Sequence, residues 1–343
     1  MQYKRLGRTG LIVSGMCLGT NTFGGAKSDW WKTFGGLDQA ATDAVMAAAF
    51  EAGINFIDTA DRYADGESEE RVAQGLKNLA INRADMVIAA KGGLQMQQGP
   101  NGMGGSRGYL MRALEATLRR LDTDYVDVYM IHLFDAATPL EETVRTLDAM
   151  VRSGKVRYIG CSNFASWQVM KGLKISAEEH LERFQVVEAQ WSAATRGIER
   201  ELIPLALDQE LGIMVWGPLL GGLLSGKYTR DGGGAGEGRT GGNVPAVIGR
   251  DQLFDVVDAL RIVAGRREAT VAQCALAWVM RQKGASTVLF GARSPEQVEQ
   301  NVKAAEIQLE AEDIALISAA AEPVMDYGIW SVRGSADSRL PYV

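Results

Sequence analysis

The amino-acid sequence predicts a (β/α)₈ barrel, and two observations support this fold class. Eight short runs rich in β-branched and aromatic residues recur along the 343 residues, and each ends near a polar residue or glycine. Segments with apolar residues at helical spacing lie between these runs. Near-continuous apolar strands that alternate with helices are typical of a parallel sheet covered by helices. Eight repeats favour a closed barrel, and an open doubly wound sheet is the alternative.

Each element of the barrel can be assigned to a stretch of the chain. The predicted strands are residues 15–19, 54–58, 86–91, 125–132, 156–163, 184–191, 213–219 and 286–292. Helices are predicted at residues 37–53, 68–79, 109–121, 139–154 and 199–212. Three additions are an N-terminal hairpin (3–14), an extra helix (270–283), and a C-terminal helix with an aromatic tail.

The segment 221–243 is long and glycine-rich, so it predicts a loop after the seventh strand that covers a ligand. By length alone, a chain of 343 residues could form one or two domains, and the barrel pattern favours one. We therefore expect residues 1–343 to form one domain, since closed barrels commonly reach this size.

Composition and charge narrow the classes of function. The formal net charge of −6 predicts no general attraction to nucleic-acid phosphates or anionic membranes. Three widely spaced cysteines, Cys17, Cys161 and Cys274, are interpreted as reduced core thiols. Two histidines without clustered cysteines predict no metal site. The N-terminus lacks an apolar signal region and no run is long enough to span a membrane, so we expect a cytoplasmic protein.

Ionisable side chains stand at the ends of three consecutive predicted strands. Asp58 ends the second strand, Lys91 the third and His132 the fourth, while Tyr63 lies in the loop just beyond Asp58. In a (β/α)₈ barrel the loops at the carboxyl ends of the strands form the active site. We therefore expect these four side chains to meet at one rim of the barrel.

The four residue types together suit proton transfer to a carbonyl oxygen. Apolar runs before Lys91 and His132 leave these side chains partly desolvated, and Asp58 can supply the charge partner that a buried lysine needs. We expect the ammonium to lower the pKa of Tyr63, which makes its phenol a general acid near neutral pH. Taken singly, Asp58 and Lys91 are equally compatible with a structural ion pair, and Tyr63 with a surface position.

Several motifs, in order and spacing, resemble those of the aldo-keto reductases. The resemblance covers nearly the whole chain. It implies a (β/α)₈ barrel, an extended NADPH cofactor held without a Rossmann domain, and a catalytic tetrad that falls on Asp58, Tyr63, Lys91 and His132. The matching stretches are RLGRTGLIVSGMCLGT, NFIDTADRYADGESEERVAQGL, AAKGG, LEATLRRLDTDYVDVYMIH, GKVRYIGCSNF, WGPLLGGLLSGKY and GARSPEQVEQN.

The resemblance also implies cofactor positions at the fifth to seventh strands. Ser162, Asn163 and Gln190 match side chains that hold the nicotinamide carboxamide. Trp216 matches the ring that stacks on the nicotinamide, although many members have Tyr or Phe there, and packing at the rim is the alternative. The loop that resembles the family's pyrophosphate loop supplies Pro218, Leu219, Gly222 and Lys227.

A helix start follows the eighth predicted strand. Ser294 has the N-cap position, Pro295 is the first helical residue, and Gln297 follows three residues after the cap. A helix N-terminus beside a barrel strand can bind an anion, and Arg293 can fork onto the 2′-phosphate of NADPH. An ordinary capped helix with a solvent-facing arginine is the alternative. The contacts implied at the adenosine end are Gly291, Arg293, Gln297 and Asn301.

Residues 221–227 (GGLLSGK) also fit the glycine and lysine spacing of a P-loop. Tyr228 stands where that loop requires Ser or Thr to bind magnesium, and a glycine-rich segment rather than a helix follows. A nucleoside triphosphatase is therefore disfavoured.

Aromatic residues near the rim predict a pocket for a substrate with apolar bulk, such as an aryl aldehyde or a larger ketone. The candidates are Phe23, Trp30, Trp31 and Phe134, with Phe34, Trp330 and Tyr342 as further candidates. The main hypothesis is NADPH-dependent reduction of aldehydes or ketones. One alternative is an NAD-linked sugar or polyol dehydrogenase that works mainly in oxidation. Another is a cofactor-bound subunit that serves a protein partner, although the basic loops expected for docking are not evident.

Overall fold

The structure, a computed structural model, describes residues 1–234, 244, 248–324 and 328. Its centre is a closed barrel of eight parallel strands, with helices outside the strands. The (β/α)₈ fold class predicted from the sequence is therefore confirmed. The last described stretch, 248–324, contributes the strand that closes the barrel against the first one.

All eight predicted strands are present, and their bounds agree with the prediction to within a few residues. The closing pair joins Val288 of the last strand to Met16 of the first. The barrel strands, in spatial order after this closing pair, follow the order of the chain. They are β3 Met16–Gly19, β4 Phe56–Asp58, β5 Val87–Gly92, β6 Val126–Ile131, β7 Val156–Ser162, β8 Phe184–Gln190, β9 Gly212–Trp216 and β10 Ala285–Phe290.

The predicted N-terminal hairpin is also confirmed, and it closes the amino-terminal end of the barrel. Strand β1 (Tyr3–Arg5) pairs in antiparallel register with β2 (Ile12–Ser14). Leu6 and Val13 are fully buried and pack with apolar side chains from inside the barrel. Because this end is closed by apolar packing, the opposite end, where the strands terminate, is the open one.

The helices agree with the prediction where one was made. Of these, α7 is shorter than expected, since Pro204 can occupy only the first turn of a helix and residues Gly197–Glu199 form a 3₁₀ turn instead. The predicted extra helix is α9, and α1, α6 and α8 were not predicted. The helices are α1 Asp29–Lys32, α2 Gln39–Glu51, α3 Glu67–Asn78, α4 Arg107–Leu121, α5 Leu140–Arg152, α6 Ser166–Glu179, α7 Leu202–Asp208, α8 Arg250–Arg266, α9 Val271–Met280, α10 Pro295–Val302 and α11 Ala311–Ala319.

The glycine-rich loop and the aromatic tail are described only in part. The loop begins with a 3₁₀ turn at Leu220–Ser225, and its residues 235–243 lie outside the described ranges. The C-terminal helix is α11, while Trp330 and Tyr342, the further pocket candidates, lie outside the described ranges. Among the helices that are described, none has the length and apolar character to cross a membrane.

The barrel interior is apolar below the strand ends. Cys17, Phe56, Val128 and Met214 belong to one buried cluster inside the barrel. All three cysteines are buried and free of disulfide bonds, as the sequence predicts. Ionisable side chains at the strand ends therefore have no contact with water on the side that faces this cluster.

Candidate active site

The structure brings the four predicted proton-transfer residues together at the carboxyl ends of β4, β5 and β6. Asp58 ends β4, Lys91 lies in β5, His132 follows β6, and Tyr63 opens a 3₁₀ turn after β4. The Lys91 ammonium is ion-paired to Oδ1 of Asp58 and lies 5.2 Å from the centroid of the Tyr63 ring. The rings of Tyr63 and His132 meet edge to face, with centroids 5.9 Å apart.

A fifth residue, Glu188 of β8, joins this cluster and was missed from the sequence. Its Oε2 accepts a hydrogen bond from Lys91 Nζ at 3.0 Å. Lys91, Asp58 and Glu188 have exposed side-chain fractions of 0%, 1% and 3%, so one ammonium sits between two carboxyl groups without solvent. The signal in the sequence was a single charged residue within the strand FQVVEAQ, two residues before Gln190 and thus on the same face of the strand.

Burial and mutual charge shift the pKa values of this cluster. Burial raises the pKa of Asp58 well above its ordinary value, the nearby Glu188 raises it further, and Lys91 opposes both. Burial alone would lower the pKa of Lys91, but the carboxyl groups of Asp58 and Glu188 outweigh it and raise that pKa. Lys91 is therefore a permanent cation of the site.

The pKa of Tyr63 departs from the expectation. Burial of the hydroxyl raises it above the ordinary value for a tyrosine, and Asp58 and Glu188 act in the same direction. Lys91 does lower it, as expected, but does not overcome desolvation. The expectation of a lowered pKa is therefore wrong, and Tyr63 carries its proton throughout the neutral range; its role as a general acid stays a prediction.

His132 is a neutral imidazole. Burial and the charge of Lys91 lower its pKa to about 3. Its backbone N–H donates to the carbonyl of Gly92 at 2.8 Å, which fixes the residue at the rim. Its Nδ1 is buried and has no hydrogen-bond partner within the described part of the chain. The side chain as a whole is only partly buried, so the exposed part of this neutral ring can hydrogen-bond a ligand at the rim.

The predicted nicotinamide residues lie at the ends of the next three strands. The amide of Asn163 donates to Oγ of Ser162 at 2.9 Å and to the carbonyl of His132 at 3.2 Å. The indole of Trp216 donates to Oδ1 of Asn163 at 2.9 Å, and Gln190 is the register partner of Trp216. These four side chains are therefore assembled beside His132. Trp216 keeps 37% of its surface exposed, which is compatible with stacking on a ligand.

The turn after β9 has the backbone shape of an anion cradle. Gly221 and Gly222 both have positive φ, at 66° and 97°, in a turn that follows Pro218 and Leu219. A Cβ atom on Gly222 would lie 3.8 Å from Lys227 Nζ, so the backbone and the ammonium face the same space. A cation beside such a turn can attract phosphate, whereas the backbone N–H groups of Leu220, Gly222 and Leu224 already donate to carbonyls within the turn.

The predicted start of α10 is present, but Arg293 has contacts that the sequence did not reveal. Ser294 is the N-cap and Pro295 the first helical residue, while Gln297 Oε1 accepts from the backbone N–H of Arg293. The Arg293 guanidinium donates to the backbone carbonyls of Thr33 at 2.9 Å and Phe34 at 3.2 Å. Arg293 is exposed, and these bonds join the loop that follows β3 (the first loop) to the end of β10, beside Gly291. Asn301 lies further along α10.

The four aromatic residues predicted to line the substrate pocket differ in burial and in their contacts. Phe23 is fully buried and belongs to the main core cluster. The prediction that it lines the substrate pocket is therefore corrected. Trp31 is 8% exposed and its Nε1 donates to Asp65 Oδ2 at 3.1 Å. Trp30 is 63% exposed. Phe134 is partly buried and packs edge to face on Phe164 and Trp167.

The residues present fit a nicotinamide dinucleotide. The cradle at Gly222 and Lys227 can hold phosphate, the amides at Asn163 and Gln190 can hold a carboxamide, and the unpartnered Nδ1 of His132 is at the same rim. Among the described residues, His, Cys, Asp and Glu form no cluster that could hold a metal ion.

Comparison with known proteins gives the class that this fold and site define. A sequence profile described as the Aldo/keto reductase family matches residues 15–322, and the chain belongs to that family. The family assignment from the sequence motifs is therefore confirmed, and the chain is an oxidoreductase of this family.

Similar proteins with known names include both enzymes and channel subunits. A probable voltage-gated potassium channel subunit beta of Oryza sativa is 34% identical, over 90% of this chain and 92% of that protein. An uncharacterized oxidoreductase of Bacillus subtilis is 34% identical, over 93% and 95%. An NADH-specific methylglyoxal reductase of Escherichia coli is 33% identical, over 92% and 97%.

Proposed function

We propose that the protein reduces the carbonyl group of an aldehyde or ketone to an alcohol, with NADPH as the cofactor and Tyr63 as the proton donor. The observation that carries this proposal is the position of Tyr63 between the buried ammonium of Lys91 and the neutral ring of His132. A proton donor, a fixed cation and a neutral hydrogen-bonding group at one rim are the parts that carbonyl reduction needs.

Each side chain has a distinct role in this proposal. His132 hydrogen-bonds the substrate carbonyl and orients it toward Tyr63. The phenol of Tyr63 gives its proton to the carbonyl oxygen, and the resulting phenolate is stabilised by Lys91, which Asp58 holds in place. Tyr63 regains its proton from solvent once the alcohol has left the rim; its hydroxyl is buried, but its side chain as a whole is partly exposed. When bound, the nicotinamide supplies the hydride that adds to the carbonyl carbon.

In this proposal the cofactor would extend from this site toward α10. Ser162, Asn163 and Gln190 would hold the carboxamide, and Trp216 would supply the ring beside the nicotinamide. The turn of Pro218, Leu219 and Gly222 would hold the pyrophosphate, with Lys227 as its counter-charge. Gly291, Arg293, Gln297 and Asn301 would hold the adenosine end.

The choice of NADPH over NADH depends on Arg293. A guanidinium next to a helix N-terminus favours the 2′-phosphate over a free ribose hydroxyl. Arg293 also donates to the carbonyls of Thr33 and Phe34, so part of its hydrogen-bonding capacity is already used. The NADH-specific relative from Escherichia coli makes the comparison of the two cofactors the first measurement to perform.

The substrate proposed for this site carries an aryl or other apolar group. The exposed Trp30 and the partly buried Phe134 offer aromatic surface at the rim, and Trp31 supports the first loop. Aromatic walls with a few fixed polar groups are typical of pockets for such ligands. A second candidate, oxidation of sugars or polyols with NAD⁺, would use the same tetrad in reverse.

The test is a paired assay of NADPH and NADH consumption with 4-nitrobenzaldehyde, an aliphatic ketone and methylglyoxal. We expect turnover with the aryl aldehyde, and faster turnover with NADPH than with NADH. Preferential oxidation of polyols with NAD⁺ would favour the dehydrogenase instead. Tight cofactor binding without any turnover would favour a protein-binding subunit, the role that the name of the Oryza sativa relative indicates for that protein.

A further inference from the structure

The second carboxyl group on Lys91 is unexplained by the roles given above. Asp58 already supplies a counter-charge to the ammonium, and Glu188 approaches it from β8, with Oε2 3.0 Å from Nζ. We propose that Glu188 is a positioning residue: it fixes the ammonium between two carboxyl groups and thereby extends to higher pH the range in which Tyr63 keeps its proton. This inference rests on the proposed function.

The geometry gives Glu188 a direct hold on the orientation of Lys91. An ammonium group has three N–H donors, and Asp58 and Glu188 take two of them. One donor is left for the side on which the Tyr63 ring lies, 5.2 Å from Nζ. Without the β8 partner, the ammonium could turn about its flexible stem and bring an N–H closer to the phenol.

The charges around Tyr63 support the same conclusion. The groups that face it are Lys91 from β5, Asp58 from β4, Glu188 from β8 and the neutral His132 from β6. Cys17 of β3 lies under the cluster as a neutral thiol, since burial raises its pKa. Where both carboxyl groups are ionised, they leave an excess of negative charge against one ammonium, and negative charge opposes formation of a phenolate.

A purely structural role would not need this arrangement. A second carboxyl group in a solvent-free cluster adds a desolvation penalty, and the ion pair of Lys91 with Asp58 would be charge-balanced without it. Buried ionisable groups that shift each other's protonation are typical of functional sites rather than of stabilising ion pairs. The consequence for the reaction is that reduction, which needs the protonated phenol, persists at alkaline pH.

Glu188→Gln tests the role of the charge, because the amide oxygen can still accept from Lys91 while the negative charge is removed. We expect the alkaline limb of the reduction profile, and the rise of alcohol oxidation with pH, to move to lower pH by about one unit. Glu69→Gln is the matched control: Glu69 is fully buried and paired with Arg120, away from Lys91. This control should leave both profiles unchanged.

A measurement that needs no turnover separates the inference from the proposed function. In protein labelled at tyrosine ¹³Cζ, the Tyr63 signal is identified by its loss in Tyr63→Phe, and its deprotonation is followed with pH. We expect deprotonation to begin at least about one pH unit lower in Glu188→Gln than in the parent. If Glu188→Gln does not fold, Glu188→Met has a similar length and no charge, and the same shift is expected.

The outcomes are distinct. A Tyr63 titration that is unchanged, or that moves to higher pH, in either folded variant overturns the inference, whether or not the protein turns over a carbonyl substrate. A titration that moves to lower pH, in a protein that reduces no carbonyl compound, supports the role of Glu188 and overturns the proposed reaction. Equal shifts in Glu188→Gln and Glu69→Gln would also overturn the inference, because the effect would then not depend on contact with Lys91.

Discussion

The indole nitrogen of Trp216 donates a hydrogen bond to Oδ1 of Asn163 over a distance of 2.9 Å. Asn163 follows β7 and Trp216 ends β9, so the bond crosses the end of β8, where Gln190 lies. The same Asn163 amide donates to the backbone carbonyl of His132. The orientation of the Trp216 ring is therefore coupled to the backbone of the candidate catalytic histidine.

Trp216→Phe removes this hydrogen bond and keeps an aromatic face. We expect cofactor affinity to fall by about fivefold, the effect of one net hydrogen bond, and the maximal rate of reduction to change less. The measurement is a fluorescence or calorimetric titration with NADPH. Trp216→Ala is the matched variant, and equal losses in the two would show that the hydrogen bond, and not the aromatic ring, determines affinity.

Tyr63→Phe removes the proposed proton donor and keeps the ring that packs on His132. We expect the rate of reduction to fall by about 10²–10⁴-fold, with cofactor affinity nearly unchanged. Steady-state kinetics and a cofactor titration on the same preparation check both parts. Residual activity within a few fold of the parent would contradict the assignment of Tyr63.

Arg293→Ala removes the guanidinium from the start of α10. We expect the affinity for NADPH to fall by about tenfold or more, and that for NADH to fall less, because only NADPH carries the 2′-phosphate. Arg145→Ala, which removes an exposed arginine paired with Glu179 on the helical surface, is the control and should affect neither cofactor. Equal losses for NADPH and NADH would mean that Arg293 acts through the first loop alone.

His132 should not titrate in the working range of pH. Burial and Lys91 lower its pKa to about 3, so the ring stays neutral above that value. We expect the rate of reduction at saturating substrate to lack a histidine-like step between about pH 5 and pH 8. Such a step, if it is abolished by His132→Gln, would show that His132 titrates in this range and would contradict the expectation.

The buried carboxyl group of Asp61 leads us to expect that the free energy of unfolding depends on pH. Its carboxyl oxygens are buried without hydrogen-bond partners among the described residues, and burial, aided by Glu69, raises its pKa to about 8. The folded chain thus binds a proton that the unfolded chain releases above its ordinary pKa, so this group's contribution to the free energy of unfolding falls as pH rises from about 4 to about 8.

Asp61→Asn cannot ionise, so it removes this dependence. We expect the free energy of unfolding to increase by about 1–3 kcal/mol at neutral pH, with little change near pH 4. Denaturant unfolding at these two pH values, without cofactor, is the measurement. An equal change at both values would show that ionisation of Asp61 is not the cause.

The fold was predictable because its signals are local. Strands such as Val87–Gly92 are continuous apolar runs, and helices such as α5 alternate at helical spacing between a proline and a glycine. Helix α8 was not predicted, because the glycine-rich segment before it carries no periodic signal that marks where a helix begins. Proline within the first turn of α7 explains why that helix is shorter than predicted.

In the candidate site, only residues that stand at the ends of predicted strands could be found from the sequence. Asp58, Lys91 and His132 are each at the end of a strand, whereas Glu188 lies two residues inside one, so the same rule could not find it. The direction of the pKa shift of Tyr63 depends on how deeply the hydroxyl is buried, which one sequence does not reveal. The bonds from Arg293 to Thr33 and Phe34 join residues about 260 positions apart and have no sequence signature.

The closing pair of strands has a consequence for the biosynthesis of the protein. Phe290 of β10 pairs with Leu18 of β3, so the barrel wall is completed by one of the last strands that the ribosome releases. The residues around Lys91 are all translated before β10, but they belong to an open sheet until β10 has paired. Because such long-range pairing forms late, a nascent chain is expected to acquire cofactor binding in one abrupt step. Until that step the edges of β3 and β9 present unpaired backbone groups, which can pair with other chains.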